Sequence, residues 1–191
     1  MTNSCPVWFD RMNIPNRRER LTNMNYEIVN LQEKIVAGIA ARTNNHAPDM
    51  GAVIGGLWHR FYQDGIYENI PDKIDSKAIG LYTDYAGDAD DDYTVMVCYA
   101  VEHQPEHSQY DIRRIPAGPY AKFVVQCDMR TSSEAIAKAW QKIWAMELPR
   151  TYLCDFEEYQ NDDMEHAEIH FYIGLKNALP EQKPKRGRKK E

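Results

Sequence analysis

An internal repeat restricts the fold of this 191-residue chain more than any other feature. Tyr26-Glu27-Ile28-Val29-Asn30-Leu31 returns 84 residues later as Tyr110-Asp111-Ile112-Arg113-Arg114-Ile115, matching at Tyr, an acid, Ile and a closing Leu or Ile. Both copies alternate as strands do. The first is followed by an apolar strand pattern at Lys34 to Ala40, and the second by one at Tyr120 to Gln126. A helical period follows in each half. Val53, Ile54, Leu57, Trp58, Phe61 and Tyr62 recur at i, i+3/i+4 within Met50 to Gln63, and Gly65 stops that helix. Ile136, Ala139, Trp140, Ile143 and Trp144 do the same from a cap at Ser132 or Ser133 to about Met146. Two strands close each half: Ala78 to Tyr85 and Tyr93 to Val101 in the first, about Thr151 to Tyr159 and Glu168 to Ile173 in the second.

The order strand, strand, helix, strand, strand therefore occurs twice, over about 25–102 and 109–175, with Trp58 and Trp140 in equivalent helical places. The expected class is α+β, two tandem halves that meet across a pseudo-twofold axis, with a natural ligand cleft at the seam.

Charge divides the chain differently. The net charge of −6 conceals a basic end, with six Lys and Arg against one acid over 183–191. A leader at 1–23 carries four arginines against two acids, so the body keeps 13 basic and 26 acidic residues. Such a body repels nucleic acid and favours cationic ligands or partners. The leader shows neither helical nor strand periodicity and reads as disordered. Met24 stands directly before the first strand, so it is an alternative start. No apolar run approaches the ~20 residues of a membrane span, and the N-terminus lacks a signal-peptide core. Cys5, Cys98, Cys127 and Cys154 form no CxxC pair. That usage fits a reduced, cytoplasmic chain without a zinc site or a disulfide framework, and no cofactor is expected.

Five segments, in register, resemble the GyrI-like small-molecule-binding superfamily, the effector-binding domain of AraC- and MerR-type bacterial transcription regulators. They are Ile54-Gly55-Gly56-Leu57-Trp58-His59-Arg60-Phe61, Gly80-Leu81-Tyr82-Thr83-Asp84-Tyr85, Asp92-Tyr93-Thr94-Val95, Ile115-Pro116-Ala117-Gly118-Pro119-Tyr120 and Glu168-Ile169-His170-Phe171-Tyr172-Ile173. The resemblance covers about 26–175 within a domain of 24–179. It implies a tandem of two fused βαββ-type units forming an antiparallel sheet with helices on one side, an aromatic cleft at their junction and a central glutamate facing lipophilic cations, at the place of Glu168. Cys98 and Ala100 depart from it, standing where many relatives have Gly and Glu. The family's usual helix-turn-helix domain has no counterpart here, so the chain reads as a stand-alone form.

Glu168 alternates with His170 and Tyr172, while Ile169, Phe171 and Ile173 take the other strand face. If the apolar set packs on the helices, the Glu168 face looks into the cleft. Trp58, Tyr82, Tyr85, Tyr93, Tyr120, Trp140, Trp144, Tyr152 and Phe156 are the candidate walls, since a ring with a polar tip suits a partly wet cleft. The expected partner is a small, lipophilic, cationic molecule, bound for sensing, sequestration or transcriptional control. The alternatives implied by the resemblance are a hydrolase of reactive cyclopropane-bearing compounds, with Glu168 as base and Tyr120 or Tyr152 as donor, and an acidic module for a protein partner such as a topoisomerase. Metal binding is disfavoured. Asp88, Asp90, Asp91 and Asp92 lack the calcium-loop spacing and read as a hairpin turn, and His103/His107 and His166/His170 fall on a loop and a strand, not a helix.

Lys183-Pro184-Lys185-Arg186-Gly187-Arg188-Lys189-Lys190 resembles an AT-hook, with Lys189 where that motif prefers proline. Any DNA contact belongs there, with Arg186 and Arg188 in the minor groove of AT-rich duplex. Replacing both arginines by lysine keeps the charge and removes the planar, weakly hydrated groups. Filter binding at low salt should then show AT preference lost and a salt-sensitive residual affinity retained. Equal affinity of the unmutated chain for AT-rich and GC-rich duplex counts against the hook.

Overall fold

Tyr93–Val101 is nine residues of almost unbroken apolar and aromatic character, and it forms a strand buried along its whole length. A strand with both faces covered belongs at the middle of a sheet. In the computed structural model, which describes residues 24–105 and 109–176, that strand lies within a single eight-stranded antiparallel sheet. In chain order the elements are β1 (Glu27–Leu31), β2 (Lys34–Thr43), α1 (Met50–Gln63), the single turn α2 (Ile66–Asn69), β3 (Ile79–Thr83) and β4 (Tyr93–Val101). The second half follows as β5 (Asp111–Ile115), β6 (Gly118–Cys127), α3 (Ser132–Trp144), β7 (Arg150–Tyr159) and β8 (Ala167–Leu175). The leader 1–23, the tail 180–191 with Arg186 and Arg188, and His107 lie outside the described residues.

The strand order is β1-β6-β8-β7-β3-β4-β2-β5. Each βαββ unit supplies three adjacent strands, β3-β4-β2 and β7-β8-β6, and the units meet where β3 pairs with β7. The outermost strands are exchanged. β1 pairs with β6 of the second half, and β5 with β2 of the first. The repeat boundary in the sequence is thus not a boundary in the sheet.

Three apolar clusters follow from strand alternation. Tyr93, Val95, Val97 and Tyr99 of β4 pack under α1 with Ile54, Leu57 and Phe61. Phe123, Ile169, Phe171 and Ile173 pack under α3 with Ile136, Ala139 and Ile143. The opposite face carries Ile79, Leu81, Met96, Ile115, Tyr120 and Phe156, all buried although no helix covers them. Curling of the sheet covers them. Lys34 Nζ, on β2, reaches Glu158 Oε1, on β7, at 2.6 Å, although three strand spacings of ~4.8 Å would separate these strands in a flat sheet. Burial pushes Glu158 up, but its bonds from Lys34 and Gln160 outweigh that and hold the carboxyl below its ordinary range.

Local details correct the sequence reading in two places. α3 begins at Ser132, and its capping position, Thr131, makes no side-chain cap bond. One turn earlier the Asp128 carboxylate accepts from the Arg130 N–H and caps a 3-10 turn that leads into the helix. The helix also ends at Trp144, short of Met146. Gly65, at φ 68°, follows α1 in the left-handed region that glycine tolerates. The 87–92 segment is a hairpin turn in which the Asp88 and Asp91 carboxylates accept neighbouring backbone N–H groups.

Two glycines test the curl. A Cβ on Gly38 would sit 2.0 Å from Val97 O and 2.7 Å from Cys98 Cα, backbone atoms of the adjacent β4. One on Gly56, exposed in the interior of α1, would meet nothing within 4 Å. Gly38→Ala should lower stability by at least the ~1–3 kcal/mol of overpacking, whereas Gly56→Ala should raise it by ~0.5–1 kcal/mol. Urea unfolding of the two variants reads both signs.

Candidate ligand-binding site

Each helix rests on its own half. α1 packs on β2 and β4, and α3 on β6, so β3 and β7 run between the helices without one above them. The gap over this seam is an open cleft. Its walls are Met50, Ile54 and Trp58 from α1, and Ile136, Trp140 and Trp144 from α3. Its floor and end come from Tyr82, Tyr85, Tyr93, Arg150, Glu157 and Tyr159, with Asn45 and Ala89 at the rim. The space measures about 650 Å³ with its open mouth. The rings already pack edge to face: Tyr82 on Trp140 with centroids 5.1 Å apart, and Trp58 on Tyr159 at 5.0 Å.

Glu157 lies in the floor and is 1% exposed. Gly80, its cross-strand neighbour on β3, leaves room above the ladder. A Cβ there would come 3.3 Å from Trp58 Cζ2 and 3.7 Å from Glu157 Oε2. Glu157 Oε1 accepts from Tyr82 OH at 2.9 Å and Trp140 Nε1 at 2.5 Å, and Oε2 from Tyr159 OH at 3.2 Å. All three donors are neutral. Among the described residues no Lys, Arg or His forms an ion pair with this carboxylate. Burial pushes its pKa up, and the bonds from Trp140, Tyr82 and Tyr159 pull it part of the way back. Burial and the adjacent carboxylate push the Tyr82 and Tyr159 phenols well above their ordinary value, so they remain neutral donors.

A second polar group stands at the same floor. Asp155, two residues before Glu157 on the same face of β7, accepts from Arg150 Nη2 at 2.5 Å and Tyr85 OH at 3.1 Å through Oδ2. Its Oδ1 takes the Gly174 N–H at 2.9 Å. A bulge makes this pairing local: Arg150 lies opposite Leu175 and Asp155 opposite Ile173, so the β7 residues between them arch away from β8, with Tyr152 at φ 55°. The Arg150 guanidinium stacks 4.6 Å over the Tyr152 ring. Its Nε is buried without a partner among the described residues, a condition that costs about 1–3 kcal/mol for a buried donor.

Six of the residues expected to line the cleft do so: Trp58, Tyr82, Tyr85, Tyr93, Trp140 and Trp144. Tyr152 stands behind the wall, edge-on to Tyr85 at 5.9 Å. Glu168 is not in the cleft. Ile169, Phe171 and Ile173 do pack under α3, but the cleft opens on that same helical side of the sheet. The Glu168 face looks the other way, where the carboxylate meets His170 Nε2 at 2.7 Å and Gln126 Nε2 at 3.2 Å. Those bonds hold its pKa below the ordinary range. Tyr120 and Phe156 also face away from the cleft, within the curl of the sheet, and Tyr120 OH donates to Pro116 O. The trio Glu168, Tyr120 and Tyr152 is not assembled, because Tyr120 pairs with Gly174 and Gln126 with Glu168. Six residues of strand, ~20 Å, separate those two positions on β8. The sequence reading missed Glu157, Arg150, Asp155 and Tyr159. Their signal was an acid on each face of a strand that the repeat places at the seam. Among the described residues no group of three His, Cys, Asp or Glu is placed to hold a metal ion.

The family profile described as the GyrI-like small molecule binding domain matches residues 24–176. Among solved structures the chain is similar to an integron cassette protein from the mobile metagenome of Vibrio cholerae, at 25% identity and a TM-score of 0.64 over 79% of this chain and 95% of that one. It is also similar to SAV2435 bound to tetraphenylphosphonium, at 18% identity and a TM-score of 0.66, over 81% and 95% of the two chains. A third is a putative bacterial transcription regulation protein from Staphylococcus aureus MU50, at 18% identity and a TM-score of 0.60, over 81% and 99%. No curated protein matches.

The buried carboxylate has a measurable cost. A raised folded-state pKa means that the folded chain holds a proton which the unfolded chain releases near pH 4.5. This group's contribution to stability therefore falls as pH rises from there through the folded value. Glu157→Gln removes the charge while keeping an acceptor for Tyr82 and Trp140. The variant should melt with the parent at pH 4 and several degrees above it at pH 8, read by calorimetry. A gain that does not depend on pH would contradict this account.

Proposed function

The chain belongs to the GyrI-like small molecule binding domain family, and from that premise we propose that the cleft captures lipophilic organic cations with Glu157 as counter-charge. One observation carries the reading: a buried carboxylate with three neutral donors and no cationic partner among the described residues forms the floor of an aromatic cleft. A cation with a large apolar body recovers the electrostatic energy that an alkaline side chain would otherwise supply. It also presents its charge to the faces of Trp58, Tyr82 and Trp140, where cation–π attraction adds ~0.5–2 kcal/mol. The acidic body strengthens the local field for such ligands. A fold neighbour was solved bound to tetraphenylphosphonium, a cation of this description. The role implied for Glu168 passes to Glu157. Capture of this kind serves sensing or sequestration.

A second reading rests on the same residue. A carboxylate with a raised pKa, bonded to Tyr82 and Tyr159, is also arranged as a general base would be. Incubation with a cyclopropane-bearing electrophile, followed by mass spectrometry of the small molecule, separates binding from turnover.

For the binding reading, isothermal titration with tetraphenylphosphonium and with neutral triphenylphosphine oxide is decisive. Glu157→Gln should weaken the cation by roughly 10- to 100-fold, equivalent to ~1.5–3 kcal/mol for a contact to a charged group, and change the neutral compound by less than threefold. Glu168→Gln should leave both unchanged. Equal losses for the cation and the neutral compound in Glu157→Gln would remove the electrostatic role.

A further inference from the structure

Arg150 is a floor residue that the capture of a simple cation leaves unused. It lines the cleft and is 6% exposed, and one nitrogen, Nη2, is bonded to Asp155. The usual Arg–carboxylate pair is a fork in which two nitrogens meet two oxygens. Here the contact is single: Asp155 Oδ2 accepts from Nη2 and from Tyr85 OH, while Oδ1 accepts the Gly174 N–H. Nε is buried and without a partner among the described residues. Glu157 and Arg150 thus line the same cleft, one as a hydrogen-bond acceptor and the other with an unsatisfied donor at Nε. Asp155, which holds Arg150, stands two strand residues from Glu157, a span of ~7 Å.

We propose that the cleft selects organic cations that also carry a neutral hydrogen-bond acceptor, a carbonyl, ester or amide, about one ring's length from the charge. The acceptor engages Arg150 Nε while the cationic centre lies against Glu157. The charge count makes the acceptor neutral. Two carboxylates and one guanidinium leave one negative charge in the floor, which a singly charged cation balances and a zwitterion does not. The proposal rests on the cation-capture reading above and narrows its ligand class.

The test uses benzyltriphenylphosphonium cations that differ only at the para position of the benzyl ring: isopropyl, methyl ester or free carboxylate. The chain should bind the ester about tenfold more tightly than the isopropyl compound, and the carboxylate no more tightly than the ester. In Arg150→Lys, which keeps a charge for Asp155 but lacks the Nε donor, the ester-to-isopropyl ratio should fall to within twofold. The comparison in the unmutated chain stands even if that variant folds poorly. If ester and isopropyl bind the unmutated chain equally, or the carboxylate binds best, the proposal is overturned while cation capture survives. If none of the three cations binds, the cation-capture reading has failed, and this proposal with it.

Discussion

At the centre of the sheet, Ile79 to Thr83 of β3 pair antiparallel with Glu158 to Cys154 of β7, and the cleft is laid out by this short ladder. It joins the two βαββ units through their inner strands. Each helix, tied to the outer strands of its own unit, is thereby held to one side. The seam is left as a floor between two walls. The ladder's register also sets Gly80 beside Glu157 and Tyr82 beside Asp155. A shift of one residue would turn Glu157 into the curl of the sheet and bring Phe156 and Glu158 into the floor.

The floor is costly to the fold and useful to a ligand for the same reason. A carboxylate with two phenols and an indole around it is hydrogen-bonded, which makes its burial tolerable. Its charge is left without a compensating one among the described residues. Were a lysine paired with Glu157, as Lys34 is with Glu158 on the far face, the site would be electrostatically complete and have nothing to offer a cation. The two adjacent acids of β7 thus receive opposite treatment. Glu158 is neutralised by the chain itself, whereas Glu157 has only neutral donors and no ion-pair partner among the described residues. A stability–function trade of this kind is common at binding sites.

Much of this was legible beforehand, for identifiable reasons. Periods of 3.6 and 2 located α1, α3 and the apolar face of β8, because burial imposes those periods directly. The repeat announced two equivalent units, and the aromatic residues near the seam were found because rings at helical and strand spacing stand out. The side of the sheet on which the cleft opens was not legible. The alternation in Glu168 to Ile173 was read correctly, but it cannot say whether the helices cover the cleft face or flank a gap on it. Asp155, Glu157 and Glu158 put acids on both faces of β7, so alternation alone could not choose among them. The exchange of β1 and β5 was hidden too, since a strand's own sequence does not name its partner.

That exchange bears on how the chain acquires its structure during synthesis. β1 is the first strand made among the described residues, yet its register partners run from Lys122 back to Gly118. About 90 residues must therefore leave the ribosome before the pairing can form, a wait of roughly 5–20 s at bacterial and eukaryotic elongation rates of ~5–20 residues per second. Through that interval β2, α1, β3 and β4 can assemble around their own cluster, but the sheet edge that β5 will occupy stays open. The unit becomes complete only when the two halves trade strands. Folding of the nascent chain is then a late, long-range event, slower than a domain of the same size built from local contacts. Trigger for closure comes with β6, which gives β1 its place.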